Sequence, residues 1–208
     1  MKSEETWKYI HAERSQMVET LTSLSSEQWA TPSLCAGWSV QETTGHILAA
    51  AEQTPVNFYK ELISAGFKFD VFTDRAAKRL GAIGPDDLIQ RLRSRTTTTN
   101  HPPAPVMAML GEIIVHGEDI RRPLGLQHRA PEAALVAVAD SYKKSNLLLG
   151  AKRRIAGLKL QATDSDWASG DGPQVSGPLI SLILVMTGRP TADGDVTGEG
   201  VATLASRA

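Results

Sequence analysis

One cysteine, Cys35, stands in a chain of 208 residues. A lone thiol excludes an internal disulfide and fits a reducing compartment. No apolar run approaches the ~20 residues needed to span a bilayer. The amino terminus, Met1-Lys2-Ser3-Glu4-Glu5-Thr6-Trp7, carries acids where a signal peptide needs an apolar core. An excess of charge is missing as well: 22 Lys and Arg against 23 Asp and Glu leave a formal net charge of -1. A nucleic-acid binder relying on counterion release wants a basic face. Lys143-Lys144 and Lys152-Arg153-Arg154 are too short to supply one and read as solvated helix faces. The expectation is a soluble, cytoplasmic protein with neither nucleic acid nor membrane as partner. Its length allows one large domain or two small ones, with a core that needs no staples.

The apolar pattern is mostly helical. Trp7, Ile10, Met17, Val18, Leu21 and Leu24 predict a helix over residues 4 to 24. Ser25-Ser26-Glu27-Gln28-Trp29 continues as a short turn or helix, broken at Thr31-Pro32-Ser33. Ser39-Val40-Gln41-Glu42 reads as a capping box, since Ser39 can bond the Glu42 amide and Glu42 can reach back. That helix runs to Thr54, where Pro55 marks its end or a kink. Residues 67 to 80 read as a loop passing into a short helix. Gly84-Pro85-Asp86-Asp87 starts another, with Pro at the first position and acids in the first turn. His101-Pro102-Pro103-Ala104-Pro105 is a rigid connector into a helix from Met107 to Arg122. Four substantial helices in this order suit an antiparallel bundle whose facing helices can project ligands inward.

The composition shifts from Pro123 onward. Pro131 to Leu149 reads as a helix, and Leu158 to Thr163 alternates like a strand. A short second strand is expected around Val175, then an apolar helix from Pro178 to Thr187 that ends at Gly188-Arg189-Pro190. The bundle is therefore expected over residues 1–125, and a small α+β domain over 126–208.

The chemistry sits in Gly111-Glu112-Ile113-Ile114-Val115-His116-Gly117-Glu118-Asp119-Ile120-Arg121-Arg122. Residues four apart lie one turn above each other, so Glu112 and His116 point the same way, and Asp119 falls in the same sector. A carboxylate beside an imidazole, next to an apolar stripe, suits a borderline divalent metal. Glu and His at this spacing also recur on solvated helix faces. His46 lies off the apolar stripe of its own helix, beside Ala49, Ala50 and Gln53. It reads either as a ligand in a pocket or as a half-exposed histidine.

Two stretches taken together carry a resemblance. Ser33-Leu34-Cys35-Ala36-Gly37-Trp38-Ser39-Val40 followed by His46, and Glu112 to His116 followed by Asp119-Ile120-Arg121-Arg122-Pro123-Leu124-Gly125, resemble the mycothiol-dependent maleylpyruvate isomerase family. The likeness covers about the first 125 residues well and the remainder more loosely. It implies a mainly α fold, a DinB-like four-helix bundle followed by a small α+β domain. It also implies a divalent metal, usually zinc, on His46, Glu112 and His116. A low-molecular-weight thiol, mycothiol in the family, then acts as nucleophile on an electrophilic substrate. Isomerases of this kind add the thiol, allow rotation and release it; a transferase stops at the adduct. The family uses an arginine of its second domain, for which Arg189 is the candidate, able to grip a carboxylate bidentately. Asp119 reads as the acceptor that orients His116, as a catalytic pocket acid, or as an exposed helix-end carboxylate.

Other residues receive plainer readings. Cys35 reads as a small buried residue in the turn before a helix, and Trp38 as packing over that turn. At least one of Arg121 and Arg122 offsets a helix dipole. His11, His101 and His128 lack a partner at ligand spacing, and His128 reads as solvated. A non-catalytic metal- or thiol-binding module, a homodimerising bundle and a metal hydrolase all remain open on this sequence.

Overall fold

Serines in extended backbone start two of the helices that build the site. Ser25 and Ser39 each accept a hydrogen bond from the amide three residues on, and the side chains of Gln28 and Glu42 return the bond. The computed structural model describes residues 1–146, 150–190 and 194–207. The chain divides into two units, Met1–Arg129 and Ala130–Ala208.

The first unit contains α1 (Ser3–Thr22), α2 (Ser26–Ala30), α3 (Val40–Glu52), α4 (Pro55–Ser64), α5 (Phe69–Gly81), α6 (Pro85–Ser94) and α7 (Val106–Arg121). Helix α1 packs on α7, α7 on α3, α3 on α6 and α6 on α1, which closes a four-helix bundle. Its core is an apolar stripe from each helix: Ile10, Met17 and Leu21; Val40, Leu48 and Ala51; Leu88 and Leu92; Leu110, Ile113 and Ile114. Each large aliphatic side chain withdrawn from water in this way contributes about 1.5–3 kcal/mol. Arg14 reaches across from α1 and donates from Nη1 to the carbonyls of Arg95 (3.3 Å) and Thr98 (2.9 Å). Arg95 is the residue that caps the carboxyl end of α6, where a helix leaves carbonyls unsatisfied, and Thr98 lies in the segment beyond it.

Two helices differ from the sequence reading. Pro55 does not merely end α3. It is the first residue of α4, which Thr54 caps by accepting from the Asn57 amide at 3.3 Å. Residues expected to form a loop and a short helix form the 13-residue α5, which packs extensively along α3. The approach of α3 to α5 is very close at Gly45. A Cβ there would fall on the Ala77 carbonyl oxygen and 2.6 Å from the Gly81 nitrogen. The backbone contact fixes the height of α3, and His46 is the next residue.

The second unit contains α8 (Glu132–Tyr142), α9 (Ala151–Arg154), β1 (Lys159–Ala162), β2 (Ala168–Ser169), β3 (Gln174–Gly177), α10 (Leu179–Met186) and α11 (Val201–Ala205). Strand β1 is central, antiparallel to β2 and parallel to β3. Helix α10 is apolar along most of its length and packs against α8 and β1. Its amino end is held by Asp164, which accepts from the Leu179 amide at 2.8 Å. The helix expected as far as Leu149 ends at Tyr142, and residues 147–149 lie outside those described. Among the described residues no helix is long and apolar enough to cross a membrane.

Gly45→Ala should lower stability by about 1–3 kcal/mol, the cost of overpacking against rigid backbone, measured by urea unfolding. An unchanged midpoint would contradict the close approach of α3 to α5.

Candidate metal centre

Helices α3 and α7 face each other in the bundle, and each turns polar side chains into the seam between them. Helix α3 supplies His46; α7 supplies Glu112 and His116, one turn apart. Nε2 of His46 lies 3.4 Å from Oε1 of Glu112. The His46 and His116 rings meet edge-on with centroids 4.7 Å apart. One ligand atom from each of the three residues lies within 4.8 Å of the others. Tetrahedral zinc with ligands at about 2.0–2.1 Å holds neighbouring donors roughly 3.3 Å apart, so the donor set fits with small side-chain adjustments. The side chains of His46, Glu112 and His116 keep only 14%, 20% and 13% of their surface exposed, so the cluster is largely withdrawn from solvent.

Behind His116 the seam is sealed. Asp119, three residues along α7, is fully buried, and its Oδ2 lies 2.8 Å from Nδ1 of His116. This removes the exposed helix-end reading of Asp119. Because the carboxylate engages Nδ1, Nε2 is left to face His46 and Glu112, the carboxylate–histidine–metal arrangement that fixes a ring and its tautomer. Burial alone would depress the His116 imidazole. The hydrogen bond to Asp119, followed by the contact with Cys35, outweighs it and raises the pKa to about 10. A metal must displace that proton in order to bind.

The turn between α2 and α3 completes the surroundings. The Leu34 amide donates to the Asp119 carbonyl at 3.0 Å. Ser33 accepts from the Cys35 amide at 3.1 Å and donates to the Trp38 carbonyl at 3.0 Å. Gly37, at φ +81, lets the chain reverse there. Cys35 is thereby carried onto α7, with Sγ 3.0 Å from Oδ2 of Asp119 and 3.4 Å from Nδ1 of His116. The plain packing role expected for Cys35 misses this contact. Nothing in the local pattern could have shown it, since the partners lie 81 and 84 positions away. Trp38 also does more than pack over the turn. Its ring lies 5.0 Å from that of His46, and its Nε1 donates to Asp74 at 3.0 Å. That bond, with a second from Lys78, holds the Asp74 carboxyl below its usual range.

The remaining candidates are elsewhere. Arg121 is buried near Glu13 and Glu118 and donates from Nε to Thr20, so it knits α7 to α1. Arg122 pairs with Glu118 at 3.0 Å. His128 is not solvated; its Nε2 sits 2.8 Å from the buried Glu13 carboxylate. Arg14 feels the charge of Glu112, although burial is the larger influence on it and pulls its pKa down to about 10. Arg189 belongs to the second unit. Its amide donates to the Leu184 carbonyl across the left-handed Gly188 that ends α10.

Residues 10–101 match the family described as "Mycothiol maleylpyruvate isomerase N-terminal domain". The fold is similar to a crystal structure of the mycothiol-dependent maleylpyruvate isomerase, with a TM-score of 0.67 and 16% identity over 96% of this chain and 93% of that one. A histidine-to-alanine variant of that isomerase matches equally, at TM-score 0.67 and 16% identity over the same shares of both chains. No curated protein matches the sequence.

The Asp119–His116 pair has a consequence for stability. The folded pKa of about 10 exceeds the ordinary 6.5. The stabilisation is therefore complete below pH 6.5 and is lost as pH rises through about 10. Chelator-treated protein should lose urea stability between about pH 7 and pH 10 more steeply than Asp119→Asn does. Parallel profiles for the two proteins would contradict the pairing.

Proposed function

We propose, from the match of residues 10–101 to the mycothiol maleylpyruvate isomerase N-terminal domain family, that this chain is a divalent-metal-dependent enzyme using a low-molecular-weight thiol, mycothiol, on an electrophilic small molecule in the cytoplasm. Isomerisation about a cis double bond is the favoured reaction, and S-transfer the variant in which the adduct is kept. The observation that carries this reading is the convergence of His46, Glu112 and His116 from two helices onto one point.

Each residue has a role in this reading. His46, Glu112 and His116 are the ligands, two nitrogens and an oxygen, a set that suits zinc and leaves a fourth position for an exogenous group. When bound, such an ion acts as a Lewis acid that favours the thiolate form of a thiol near neutral pH. Asp119 holds Nδ1 of His116, which keeps Nε2 aimed at the ion and makes it a better donor. Trp38 lies against the His46 ring and limits its rotation. Arg189 is the proposed anchor for a substrate carboxylate. Its surroundings support that role, because Arg154 feels the positive charges of Arg153 and Arg189, and clustered guanidinium groups attract an anion.

The test is turnover of maleylpyruvate by zinc-loaded protein supplied with mycothiol, followed by proton NMR. Activity should require both zinc and thiol, fall to background in Glu112→Gln, and fall by about 10–100-fold in Asp119→Asn. Thiol-independent ester hydrolysis with no isomerisation would overturn the reading in favour of a metal hydrolase.

A further inference from the structure

We propose that Cys35, Asp119 and Nδ1 of His116 form a second ligand set for a borderline divalent cation, zinc or cobalt(II) in class, which shares His116 with the first set but uses the other ring nitrogen. The geometry stands apart from the isomerase reading and does not need it.

Three donors of different kinds, thiol, carboxylate and imidazole, lie together here. Their separations are 3.0 Å from Sγ to Oδ2, 3.4 Å from Sγ to Nδ1 and 2.8 Å from Nδ1 to Oδ2. A triangle with these sides has a circumradius of about 1.8 Å, so an ion at ligand distances of roughly 2.0–2.3 Å lies just out of its plane. No donor has to travel far. A thiolate with an imidazole and a carboxylate selects zinc-like ions over magnesium or calcium.

The donors are also held in place. The Leu34 amide is bonded to the Asp119 carbonyl, which pins the turn to α7, and the Cys35 amide to Ser33 Oγ, which shapes the turn itself. The carboxylate is fully buried. Binding through Sγ, Oδ2 and Nδ1 releases to solvent the protons those atoms hold, and no electron moves.

Sharing His116 makes the two sets rivals. Nδ1 serves one and Nε2 the other, so filling both requires the ring to lose both of its protons. The second set therefore takes an ion most readily where the first is disabled.

The experiment is cobalt(II) titration, followed by absorbance, of His46→Ala and, separately, of Glu112→Gln, with helical circular dichroism as the folding control. Each folded variant should bind one cobalt with a thiolate-to-metal charge-transfer band in the near ultraviolet. Adding Cys35→Ser to either should abolish that band. Cobalt bound without the band, or no cobalt bound by either folded variant, would overturn the second set. Wild-type protein that binds cobalt without the band reports the first set alone. Wild type that binds cobalt only through the thiolate would sink the His46, Glu112 and His116 reading and leave this one standing.

Discussion

A carboxylate buried without a partner is so costly that the residues around it have little freedom, and Asp119 is buried completely. Its side chain engages His116 on the same helix and Cys35 from the turn before α3. Its backbone carbonyl accepts from Leu34 in that turn. One residue thus sets the rotamer of a candidate ligand and anchors the chain segment that leads into α3. Helix α3 in turn carries His46, at a height fixed by the contact of Gly45 with α5. The candidate metal centre depends on these two constraints together. Asp119 orients the half of the site on α7, and Gly45 positions the half on α3.

Much of this is visible in the sequence because it is local. The capping box at Ser39, the one-turn spacing of Glu112 and His116 and the three-residue step to Asp119 are all consequences of helical geometry. The four helices of the bundle follow from apolar periodicity, and β1 from alternation. What stays hidden depends on distant partners. Cys35 meets His116 across 81 positions, and His128 meets Glu13 across 115. No pattern within a segment distinguishes these residues from an ordinary small residue and an ordinary loop histidine. Arg121 is a similar case, since a helix-end cation ordinarily faces water but here reaches Thr20 on α1. Helix α4 was obscured for a different reason. Proline ends one helix and begins another with equal ease, and only the cap at Thr54 separates the two outcomes.

The second unit contributes a different chemistry. Its three-stranded sheet and apolar α10 form a core of their own, and α10 ends in a glycine turn that presents Arg189 near Arg154. Candidate donors for a cation gather in the first unit, and guanidinium groups in the second. The 16% identity to the isomerase structure carries the fold alone, so the case for the reaction rests on which side chains the fold brings together.

The most direct test is the metal content of protein purified without chelator, read by elemental analysis beside His116→Ala. The account predicts close to one zinc or similar divalent ion per chain in the wild type and its loss in the variant. No metal in the wild type, even after reconstitution with zinc, would contradict it.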